Sequence, residues 1–399
     1  MTARRQVVPL LLITGLAGFI SVVESAIVGA GELAVAKDRP ASVTLMADRV
    51  MRPDGSLEKN LAVVVRGGRI KRLGKQDETR AQNVRRFPPG TVLCPGLVDL
   101  FSYPGVVGQT VETALLVDPD ASPTGVLDPG HPDFRTALES GITAVMVSPT
   151  PANLVSGVCV SVRTHVMDGQ LDVLRDDGPL ILAFGEGVWR SDRAPTSRAG
   201  AIHVFRDLLA QARNGSAHPR VNAVVAGRLD ALIVCPDGPD LALVGQALGK
   251  AAKQFGVVHT VDAIESVQSL KGFQQPVVVG PYAMTSDRRV LLGAAALADA
   301  GIDVAFRGGF PEATPEALRM TAALAVRHGM DPAAARRAMT TAPATVAGVA
   351  DRIGAIAPGK DADLVVFSDD PLRMDAKVLE VYVQGVRVYA TKLKEHHHE

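Results

Sequence analysis

The run LCPGLVDLFSYPG, Leu93 to Gly105, is where the pattern of this chain changes. An apolar segment ends at Pro95-Gly96, restarts as Leu97-Val98-Asp99, and then gives Phe101, Ser102 and Tyr103. On its N-terminal side, from Ser42 to about Val92, the pattern is strand and turn. SVTLMADRVM leads to Pro53-Asp54-Gly55, and LAVVVRGGRIKRLG follows, with Gly67-Gly68 as the turn of a hairpin. On its C-terminal side, short apolar stretches alternate with helical ones. TAVMVSP, LILAFGE, ALIVCPDG, GVVHTVD, PVVVGP and IDVAFRGG read as strands. PDFRTALESG, AIHVFRDLLAQARNG, DLALVGQALGKAAKQFG and RRVLLGAAALADAG read as helices, several of which close on Gly, as at Gly141, Gly256 and Gly301.

Repeated β-then-α units of this number predict an α/β fold, a (β/α)8 TIM barrel over residues 96–349. The alternative, an open doubly wound sheet, lacks a GxGxxG after its first strand. From Ile353 strands return: GAIAPGKDADLVVFSDDPL gives two, and VLEVYVQGVRVYA folds back at Gly385. Strand-rich material therefore brackets the barrel, and a small composite β-sandwich from residues 41–95 and 350–393 is expected.

Composition narrows the function classes. Lys and Arg number 42, as do Asp and Glu, so no global field recruits nucleic acid or an anionic membrane. Apolar residues make up 47% of 399, enough for a large core, and aromatics only 4%, which suits Val-rich strands under Ala-rich helices. Cys94, Cys159 and Cys235 are far apart and form no CxxC, which argues against a disulfide framework or a structural zinc site. Residues 1–36 carry Arg4-Arg5, an uncharged apolar run to Val23, and small-residue cleavage patterns at Val28-Gly29-Ala30 and Ala34-Val35-Ala36. These features predict a signal peptide or N-terminal anchor, hence an exported, periplasmic or extracellular protein that touches membrane through that segment only. The three adjacent histidines near the C-terminus are given no role in the fold.

The motifs GAIAPGKDADLVVF (354–367), DDPL (369–372), LCPGLVDL, ALESGITAVMVSPTPANLVSG and GPLILAFGE together resemble the amidohydrolase superfamily, in particular its imidazolonepropionase-like metal-dependent hydrolases. The resemblance covers most of residues 41–390. It implies divalent metal at the C-terminal ends of the barrel strands, held by a His-x-His pair, a Lys or Glu, two further His and an Asp. Such a metal lowers the pKa of bound water toward neutrality.

Carried over, these positions fall on Phe101 and Tyr103 for the pair, Ile181 for the Lys, Cys235 for the strand-5 His, the neighbourhood of His259 for the strand-6 His, and Gly309 for the Asp. A phenyl ring has no lone pair to donate, and Ile and Gly have none either. The expectation is a member without the usual metal ligands and with no cofactor. A rebuilt site for zinc or another divalent ion from Tyr103, Cys235, His259 and either Asp237 or Asp262, or a Cys235–His259 nucleophilic pair, are the alternatives. Asp99 and Arg307 complete the pocket candidates, Arg307 as an anion-binding group beside Gly308-Gly309.

Three functions follow: a catalytically silent homologue with a binding or assembly role, as a homodimer or paired with an active paralogue; a hydrolase of non-peptide or cyclic C–N bonds; and a small-ligand binding protein.

Overall fold

The computed structural model describes residues 42–80, 83–259, 261–273 and 275–391. The leader expected over residues 1–36 and the histidine-rich tail lie outside them. Among the described residues no helix is long and apolar enough to cross a membrane.

Two sheets face each other at the strand-rich ends. One orders Arg69–Lys75, Leu61–Arg66, Ser42–Met46 and Val84–Arg86; the other mixes both ends of the chain, pairing Leu364–Phe367 with Val92–Pro95 and Val378–Val383. Strand alternation explains the unbroken apolar runs. Leu93, Leu364 and Val366 point between the sheets, into a core with Val43, Leu45, Val63, Val65 and Ile70. Val92, Cys94, Val365 and Phe367 point the other way, into the large core shared with the α/β part. Both faces of this second sheet are therefore buried, and a polar residue would be costly at either alternate position.

The α/β part is TIM-barrel-like. Leu97–Leu100 runs parallel to Ile142–Val147. Leu180–Ala183, Ala231–Val234, Phe255–Val258, Val277–Val279 and Val304–Phe306 form a second parallel series. One stretch of chain joins the two groups. Val160–Met167 lies antiparallel to Ile142–Val147, and Val155–Val158 lies antiparallel to Leu180–Ala183. Counting that stretch once gives eight strand positions among the described residues. Each supplies inward residues to one cluster: Val98 and Leu100, Ala144 and Met146, Cys159, Ile181, Leu232, Val258, Val278, and Ala305. Ala344, Val346, Val349 and Ile353 join that cluster.

This departs from the expected repeat. The third position is antiparallel, and it continues through a hairpin to Gln170–Arg175 rather than through a helix. Asp168 and Gly169 at its tip both have positive φ (50° and 74°), the requirement of a tight two-residue turn. His165 lies on the Val160–Met167 strand. The helix expected through Gly256 ends at Leu248, and Gly256 itself sits inside the strand Phe255–Val258. No ladder joins the last strand to the first; the seam is crossed by discrete hydrogen bonds described below.

A buried ion cluster ties the sandwich to the α/β part. Arg163, fully buried, donates to Asp363 (2.7 Å), Asp361 (2.6 Å) and Asp172 (2.6 Å). Burial disfavours its charge, but the carboxylates outweigh that and raise its pKa. Arg352 also donates to Asp361, and Asp363 accepts the backbone N–H of Gln384. The GKDAD segment of the closing motif thus serves as a clamp.

Candidate functional site

The C-terminal ends of the strands form the mouth where (β/α)8-type folds place their chemistry. At the first strand, Asp99 is fully buried and its Oδ1 accepts the Gly308 backbone N–H at 2.5 Å. Gly308 is required there: a Cβ would stand 2.9 Å from Asp99 Oδ2 and 3.0 Å from the Leu318 nitrogen. Oδ2 has no hydrogen-bond partner. Burial pushes the Asp99 carboxyl up to about 6, against the opposing pull of the Gly308 N–H, Ser102 and Arg307. Ser102 Oγ and the Tyr103 backbone N–H both donate to the Phe310 carbonyl, at 3.0 and 2.7 Å, and complete the seam.

Phe101 follows in the left-handed region (φ 51°), a strained conformation for a bulky residue. It is buried in the inner cluster, and the Arg307 guanidinium lies over its ring, 5.4 Å from the centroid. Gly309 takes φ 73° in the turn after Arg307 and offers no side chain where the resemblance implies an Asp. Asp303, the nearest upstream acid, pairs with Arg337 on the exposed side.

The other candidates are not assembled as a rebuilt site requires. Tyr103 hydrogen-bonds Ser148 through its hydroxyl (2.9 Å), and burial raises its pKa. Ile181 is buried in the inner cluster. Cys235 does not point into the mouth. Strand alternation sends Leu232 inward and Ile233 and Cys235 into the outer core. Among the described residues its Sγ has one hydrogen-bond partner, the Asp237 carbonyl, at 3.6 Å.

His259 is also fully buried. Nδ1 is 2.6 Å from the Cys235 carbonyl, not its sulfur, and Nε2 is 2.6 Å from Asp262 Oδ1. Asp262 also accepts the Gly238 backbone N–H. Both ring nitrogens are thereby engaged in holding neighbouring loops, so the nucleophilic Cys235–His259 pair is not formed. A burial-raised thiol pKa at Cys235 opposes it as well.

The described residues at the mouth do not fit a divalent metal. Among the described residues no three His, Cys, Asp or Glu side chains converge to hold one. Phe101 fills one ligand position, and a guanidinium already brings a positive charge to the first-strand end of the mouth.

A family model described as "Amidohydrolase family" matches residues 307–389, the stretch from Arg307 through the last strands of the sandwich. Over 88% of this chain and all of its own, an amidohydrolase from Thermotoga maritima MSB8 superposes with a TM-score of 0.76 at 26% identity. The chain belongs to the amidohydrolase superfamily. Two curated relatives of this amidohydrolase-family chain are Amidohydrolase tasK of Hapsidospora irregularis and Adenine deaminase 1 of Carboxydothermus hydrogenoformans. The first is 23% identical over 359 residues, 74% of this chain and 36% of that protein. The second is 45% identical over 60 residues, 15% of this chain and 9% of that protein. The chain thus spans about a third or less of the curated relatives it matches.

Two features were missed in the sequence. The Asp168-Gly169 turn signalled the third-strand hairpin. Asp361 and Asp363 signalled a buried cation, although nothing local identified Arg163, about 200 residues earlier, as their partner.

Proposed function

We propose that this amidohydrolase-family chain does not hydrolyse its ligand but binds it, with the seam at Asp99, Phe101 and Arg307 standing where its relatives keep metal chemistry. The observation that carries the reading is Arg307 over Phe101: a fixed cation and an aromatic ring occupy the first-strand end of the mouth. Without a metal-bound water or an assembled Cys–His pair, the described residues supply no activated nucleophile. In this reading the strands close as a complete barrel, and the protein works outside the cytoplasm, free or held by its N-terminal segment, alone or paired with a second copy or an active paralogue.

Elemental analysis tests it, on the full chain with His396, His397 and His398 replaced by Ala so that the tail binds no metal. Expected are sub-stoichiometric zinc, manganese, iron and cobalt, unchanged stability in a chelator, and no turnover of cyclic amides, N-acyl amino acids or aminopurines with metal supplied. Stoichiometric metal that is lost together with a hydrolase activity would overturn the reading and favour a C–N hydrolase with a rebuilt site.

A further inference from the structure

We propose that Arg307 anchors a binding site for the carboxylate of a small organic acid at the barrel mouth. Arginine is the contrast on which this turns. Among the described residues every other buried or half-buried arginine is committed. Arg163 has three carboxylates; Arg319 donates to the carbonyls of Pro371, Arg373 and Ala376; Arg336 holds Asp370 and the Gly55 carbonyl. Arg193 donates to two carbonyls and Asn153. Arg307, half-buried, makes no side-chain hydrogen bond and no ion pair with any described residue, and its Nε is shielded from solvent with no acceptor among them. A guanidinium carries five donors, and leaving a desolvated one unmet is costly.

The surroundings place an aromatic ring and two glycines beside the group. The Phe101 ring supports one side. Gly308 and Gly309 place no side chain beside it, and a Cβ on Gly309 would stand 3.7 Å from an Arg307 terminal nitrogen. Asp99, the nearest buried acid, is turned to the Gly308 N–H and does not close an ion pair with it. Glu312 is exposed and forms none either. A planar guanidinium fork over a ring, with no acceptor among the described residues, matches a planar carboxylate through two parallel hydrogen bonds better than a tetrahedral anion or a neutral amide. The inference builds on the metal-free reading of the mouth, and it is tested by a different measurement.

The full-length chain, in low-chloride buffer, is titrated with acetate, benzoate and succinate and, separately, with inorganic phosphate, by calorimetry and thermal unfolding. At least one carboxylate is expected to bind and to raise the unfolding temperature with concentration. Arg307→Ala should weaken that binding by roughly 10- to 100-fold, the loss of one charge-assisted pair. Arg307→Lys should keep part of it, and Phe101→Leu should weaken it while keeping the charge. Arg307 bonds to no other described residue, so its two variants are expected to fold; Phe101→Leu keeps an apolar side chain in the inner cluster, and circular dichroism checks that all three fold. Absence of binding by all three carboxylates, equal binding in folded Arg307→Ala, or phosphate binding at least as tight overturns the proposal. Metal content and turnover are read separately, so bound zinc with no carboxylate response, or the reverse, shows which of the two readings has failed.

Discussion

The backbone N–H of Gly308 donates to Oδ1 of Asp99 at 2.5 Å and links the end of the Val304–Phe306 strand to that of Leu97–Leu100, between which no ladder forms among the described residues. The carboxyl that accepts it is buried, and its pKa is raised from 3.8 to about 6. Between those values the folded protein holds more protons than the unfolded chain. Stability contributed at this site is therefore complete below about pH 4 and is lost as pH rises toward 6 and beyond. Asp99→Asn keeps an acceptor for Gly308 and cannot ionise. Urea unfolding of the variant should show a flatter pH dependence across this window and higher stability at pH 7, by on the order of 1–3 kcal/mol. Parallel pH profiles for variant and parent would show that Asp99 does not carry this penalty.

The Arg163 cluster makes a larger prediction. Removing one partner of a buried ion pair leaves uncompensated charge and typically costs about 3–5 kcal/mol. Arg163→Met leaves Asp363 without a cation at the junction of the sandwich and the α/β part, while Asp361 keeps Arg352, so a loss toward the lower end of that range is expected in equilibrium unfolding. Arg163→Lys should recover little, because one ammonium cannot reach three carboxylates in the directions a guanidinium fork does. Asp172 is the partly exposed member. Asp172→Asn should therefore cost far less, about 1 kcal/mol or below.

Gly308→Ala tests the seam from the other side. Its Cβ would meet Asp99 Oδ2 and the Leu318 backbone nitrogen inside normal separation. The backbone cannot yield cheaply there, and a loss of about 1–3 kcal/mol is expected, as for overpacked cores. The double variant with Asp99→Ala removes one of the two clashing atoms, so its loss should fall short of the sum of the single variants. Strict additivity would show that the seam is not where the strain arises.

The parts of the fold legible in the sequence are those with local signals. Leu61–Arg66 and Arg69–Lys75 announce themselves by alternation around Gly67-Gly68. The parallel strands from Leu180 to Phe306 do so as Val-rich runs between helices. The hairpin through Asp168 carries a local turn signal at Asp168-Gly169, but it stands where the β-then-α rhythm calls for a helix. At the site, sequence position placed Phe101, Gly309 and Arg307 at the mouth. It could not tell which way Cys235 and His259 point. One residue of phase along a strand separates inward from outward, and the exact strand ends decided it.

The cysteines give the last prediction. Cys94, Cys159 and Cys235 are all fully buried, and burial pushes each thiol well above its ordinary range. At Cys235 the neighbouring Asp240 and Asp237 push further in the same direction. The thiolate is the reactive form, so a thiol-specific reagent at neutral pH should label none of the three in the folded protein and all three in denaturant. Labelling should then follow the opening of the fold, and stabilising the fold should slow it. Cys235→Ala removes one buried sulfur and no hydrogen-bond network, since His259 contacts the carbonyl of residue 235 and not its side chain. The variant should remain folded and bind carboxylates as the parent does. Rapid labelling of Cys235 in the folded state, with a midpoint below the ordinary thiol value of about 8.5, would instead restore the nucleophilic reading of that position.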